Sequence, residues 1–64
     1  MTLQDLIVSY LNKEQDAITA IRTLSGMFNP DHAVTILTLI CCITRHEQGD
    51  LDAKTFRHIW KIED

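Results

Sequence analysis

Cys42 and His46 stand four residues apart, a spacing that on a helix lets a thiolate and an imidazole touch one metal ion. Two ligands do not make a site. His32 lies more than two helical turns before Cys42, and His58 reaches it only if the fold delivers it. Cys41 and Cys42 are adjacent, and neighbouring residues do not easily attain disulfide geometry. Free thiols of this kind suit a reducing cytoplasm, where small cysteines usually behave as buried hydrophobes. No basic cluster beside them would lower a thiol pKa enough for redox sensing. Neither a metal nor a cofactor is therefore expected. Ser9 and Ser25 have no recognisable base or nucleophile elbow, and no glycine-rich loop is present to cradle phosphate. The sequence reads as a non-enzyme.

Two further patterns touch on binding. Gly49, Leu51 and Phe56 have the rhythm of an EF-hand calcium loop, but the ligand positions then fall on Thr44, His46, Gln48 and Thr55. Calcium takes hard anionic oxygens, which those residues lack. Lys54, Arg57, His58 and Lys61 recur at helical spacing and could form a nucleic-acid face in a helix-turn-helix. With Gly49 as the turn glycine, the usual small and buried positions become Arg45, Thr55 and His58, all wrong for that motif's core. A net charge of −3 also opposes an extended phosphate-binding surface. Nucleic-acid binding is thus the alternative rather than the leading reading.

The elements that must position these residues are helical. Thr2 can cap a first helix, with Asp5 as its capping-box partner, and Leu3, Leu6, Ile7, Tyr10 and Leu11 form one apolar stripe. Five polar residues, Asn12 to Asp16, interrupt it, and Asn12 with Gln15 could cap a second helix reaching Leu24. Ala17, Ile18, Ile21 and Leu24 would face inward. One continuous helix over 3–24 is the rival, since neither Gly nor Pro intervenes. Gly26 has the place of a C′ residue, and Met27 and Phe28 follow as apolar loop anchors. Asn29-Pro30 is the clearest start signal in the chain, a favoured N-cap followed by the residue suited to the first helical position.

The third helix so announced should run from Pro30 to about Gln48, with Gly49 beyond it. Ala33, Ile36, Leu37, Ile40 and Ile43 make one face; Val34 with Cys41, and Leu39 with Cys42, extend it on both sides. Only Thr35 and Thr38 are polar in this stretch. A helix apolar all round is normally buried all round. The strand reading, favoured by Val, Ile and Thr, fails for want of a partner strand. Asp50 or Asp52 caps a last helix with Phe56, Ile59 and Trp60 inward and Lys54, Arg57, His58 and Lys61 outward, and Glu63-Asp64 should fray.

Residues 1–64 are therefore expected to form a single all-α domain, a four-helix bundle or three if the first two are continuous, around a central apolar third helix. Sixty-four residues lie near the lower limit for a self-sufficient core, burying only about 60% of the unfolded chain's surface. The apolar run from Ala33 to Thr44 has about twelve residues where a membrane span needs about 20. No basic segment precedes an apolar one at the N-terminus, so a cytoplasmic location is expected. The surplus on the third helix predicts a homodimer sharing Val34, Thr38, Leu39, Cys41 and Cys42, and a role in binding another protein. A small acidic helical chain of this kind would suit a phage or mobile-element origin.

Overall fold

The computed structural model describes residues 2–62, so the expected fraying of Glu63-Asp64 lies outside them. Four α-helices follow one another: α1 (Leu3–Leu11), α2 (Ala17–Gly26), α3 (Ala33–Glu47) and α4 (Ala53–Ile59), with a 3-10 turn, Pro30–His32, leading into α3. The all-α bundle is as expected, and the first two helices are separate. No helix among the described residues is long and apolar enough to cross a membrane.

Local chemistry explains each boundary. Thr2 Oγ1 accepts from the Asp5 N–H and Asp5 Oδ2 accepts from the Thr2 N–H, both at 3.1 Å, completing the capping box. Asp16 rather than Asn12 caps α2, its carboxylate accepting from the Thr19 N–H at 2.8 Å. Asn12 is already committed as the C-cap of α1. Asn29 Oδ1 accepts from the Asp31 N–H at 2.9 Å, and Asp52 caps α4 by accepting from the Thr55 N–H at 2.7 Å.

Three helices end in the same left-handed motif. Gly49 lies at φ 82 after α3, where the Asp50 N–H reaches the Arg45 carbonyl at 2.9 Å and the Gly49 N–H reaches His46 at 3.2 Å. Lys13 (φ 62) and Lys61 (φ 55) occupy the equivalent positions after α1 and α4. Gly26 does not, because it is the last helical residue of α2 and Met27 is the cap. A lysine at positive φ bears a Cβ penalty that glycine avoids. Lys13→Gly is accordingly expected to stabilise the chain by about 0.5–1 kcal/mol, read as a raised urea midpoint.

The core comprises Leu6, Ile7 and Tyr10 of α1, Ala20 and Leu24 of α2, Ile36, Leu39, Cys42 and Ile43 of α3, and Phe56 of α4. Leu3, Leu11, Ala17, Ile21, Ile40, Leu51, Trp60 and Ile62 pack around it, partly buried. α3 packs chiefly on α2 and also meets α4, while α1 lies against α2. Two expected inner residues, Ile18 and Ile59, are instead exposed, and Phe28 projects from the loop before α3.

α3 itself is turned relative to the sequence reading. Leu39 and Cys42, expected on a shared outer surface, are in the core, whereas Leu37, expected inside, is 57% exposed. At 100° per residue this is a rotation of roughly 80° about the helix axis. In this rotation the Tyr10 and Phe56 rings lie against His46, and Leu39, Cys42 and Ile43 on the same side join the core, where α2 is the chief neighbour of α3.

Candidate functional site

The same rotation leaves an apolar stripe of α3 at the surface. The side of α3 opposite the core presents Val34, which is 80% exposed, with Leu37, Thr38 and Cys41, all exposed. These residues fall at i, i+3, i+4 and i+7, one continuous stripe along a helix. The hydroxyl of Thr38 donates to the Val34 carbonyl at 2.7 Å, and Thr44, further along, donates to Ile40 at 2.9 Å. Both hydroxyls are satisfied within the helix, so their methyl groups add to the apolar surface. Of the residues expected to be shared with a second copy, Val34, Thr38 and Cys41 are on this face. Leu39 and Cys42 are behind it, and Leu37 was missed because the sequence assigned it to the core.

A second feature joins distant parts of the chain. Tyr10 Oη lies 2.7 Å from His46 Nδ1, with the rings edge to face at 5.3 Å between centroids. Phe56 completes the cluster, its ring centroid 6.1 Å from Tyr10 and 5.9 Å from His46. A cleft of about 490 Å³ opens beside it, lined by Lys13, Glu14, Asp16 and Glu47 among others. Burial, and then the neighbouring Glu47 carboxylate, pushes the Tyr10 phenol up to about 12. A phenol held neutral in this way is the opposite of an activated nucleophile, and the contact ties α1 to α3. His46 thereby turns one ring nitrogen to Tyr10 while Cys42 is buried in the core. Among the described residues no group of three or more His, Cys, Asp or Glu is placed to hold a metal ion.

Of the four basic residues in the chain's last part, Lys54, Arg57 and His58 lie on α4 and Lys61 does not. α4 ends at Ile59, and Lys61 lies beyond it in the left-handed conformation. Lys54 and His58 are exposed, whereas Arg57 is half-buried. Asp52 occupies the amino end of the helix as its cap, so a carboxylate stands where a phosphate would approach.

Ionisation of these groups bounds stability on both sides. Hydrogen bonds hold the carboxyls of Asp5 (from Thr2), Asp16 (from Thr19) and Asp52 (from Thr55) below the ordinary carboxylate range. A lowered folded pKa contributes stability above the unfolded value that is lost as pH falls through the folded one. Tyr10 acts at the other end: its raised pKa leaves stability intact below about 10 and removes it as pH rises toward 12. Tyr10 is the only tyrosine, so absorbance at the phenolate wavelength follows it alone. The expected result is a native titration midpoint near 12 with a urea midpoint that declines from pH 10 upward; a midpoint near 10 in the folded protein refutes the assignment.

Comparison with protein-family models, curated proteins and solved structures found no match.

Proposed function

We propose that this chain is a non-enzymatic protein–protein interaction or regulatory module that works as a homodimer, with the outward face of α3 as its docking surface. The observation that supports this reading is the exposed stripe of Val34, Leu37, Thr38 and Cys41 on the opposite side of a helix whose other side already supplies the core. Single exposed apolar residues are normal on a protein surface, but a continuous apolar helix face is the form in which helices dock on partners. The cytoplasm remains the proposed compartment, given the two free thiols.

Light scattering after size-exclusion chromatography tests the reading. At tens of micromolar the expected mass is twice that of the chain. Leu37→Lys, which places a charge on the exposed face and leaves the core untouched, should yield a monomer with unchanged helicity. A wild-type monomer at that concentration would sink the homodimer reading.

A further inference from the structure

Opposite charges bracket the outward face of α3, Asp31 in the 3-10 turn just before the helix and Arg45 in its last turn. Val34, Thr38, Cys41 and Arg45 succeed one another along α3 at spacings of four, three and four, the pattern of a coiled-coil seam, with Leu37 flanking it; Asp31 stands three residues before Val34, in the 3-10 turn that leads into the helix. Asp31, in the 3-10 turn, and Arg45, in the last turn of α3, are both exposed. No hydrogen bond or ion pair among the described residues engages either side chain.

A seam that is acidic at its amino end, basic at its carboxyl end and apolar between is complementary to itself in one orientation. Laid antiparallel on its own copy, it sets Asp31 against Arg45 of the partner subunit at both ends of the contact, as two-fold symmetry requires. A parallel pairing sets like charges together at each end. The antiparallel arrangement also opposes the two helix dipoles favourably. At the centre, Thr38 leaves no donor stranded on burial, because its hydroxyl is already bonded to Val34.

We infer that the occupant of this face is a second copy of this chain, its α3 antiparallel to the first about a two-fold axis at Thr38, with Asp31 and Arg45 locking the register. This rests on the reading of the α3 face as a docking surface and adds its partner geometry.

Charge exchange and cysteine crosslinking test it, with sedimentation equilibrium at low salt as the readout of the dimer constant. Asp31→Arg or Arg45→Asp alone replaces two attractive contacts with two repulsive ones and should weaken the dimer about ten-fold. The double variant should return to within about three-fold of wild type. Both reversals oppose the helix dipole, so any harm to the fold adds in the double variant and cannot produce that recovery. In the antiparallel register the two Cys41 residues lie roughly 9 Å apart along the axis, too far for a disulfide. Wild type should therefore stay uncrosslinked under mild oxidation. Val34→Cys should form a crosslinked dimer, and Val34→Cys with Cys41→Ser should not. A dimer indifferent to the reversals, or one that crosslinks through Cys41 itself, overturns the antiparallel geometry and leaves the docking face standing. A monomer throughout overturns both.

Discussion

Replacing Phe56 with alanine is expected to leave the chain largely unfolded at 25 °C. Phe56 is fully buried and is the only core residue that α4 contributes in the first rank. Its ring also meets those of Tyr10 and His46, so it joins α4 to both α1 and α3. Truncating a buried phenylalanine costs about 3–5 kcal/mol. A chain of this length has a total stability of roughly 3–10 kcal/mol, so the loss is comparable with the whole. Far-ultraviolet circular dichroism should show most helicity gone, or a urea midpoint moved close to zero denaturant. A midpoint within experimental scatter of wild type would refute the central position of α4 in the core.

The second large effect separates two neighbouring leucines. Leu39→Ala should cost about 2–5 kcal/mol, because Leu39 is fully enclosed by the other helices. Leu37→Ala, two residues earlier on the exposed side, should change monomer stability by no more than about 0.5 kcal/mol. Urea titrations at micromolar protein, where association contributes little, give the comparison directly. Equal costs, or a larger one at Leu37, would return α3 to the rotation its sequence suggested. The dimer measurement should then sort the pair in reverse, with Leu37 mattering to association and Leu39 acting only through the fold.

Most boundaries were legible without coordinates because caps are short-range devices. Thr2 with Asp5, Asn29 with Pro30, Gly49, and Asp52 each act within three or four residues, so a reading of adjacent types suffices. The break after Leu11 was only half legible: a run of polar residues removes the apolar stripe, but no Gly or Pro excluded one continuous helix over 3–24. What failed locally did so where two neighbours compete for one role. Asn12 and Asp16 both suit an N-cap, and α1 had already taken Asn12 as its C-cap. Gly26 looks like the terminator, yet α2 closes on Met27 without needing a left-handed residue.

The larger errors belong to rotation. Ile18 and Ile59 are exposed on helices whose lengths and limits were close to expectation. Nor does any local pattern announce that Tyr10 will meet His46, a pairing across 36 positions that helps to orient α3.

From its own residues the chain determined an all-α fold, the places where helices start and stop, and a third helix with more apolar surface than one domain core requires. Only the tertiary structure decided which part of that surface is surplus. A helix apolar on every side has nearly the same burial energy in several rotations, so its sequence alone prefers none strongly. The choice is made by what packs against it, here α2 together with the Tyr10 and Phe56 rings beside His46. That choice buried Leu39 and Cys42 and left Val34, Leu37, Thr38 and Cys41 facing out.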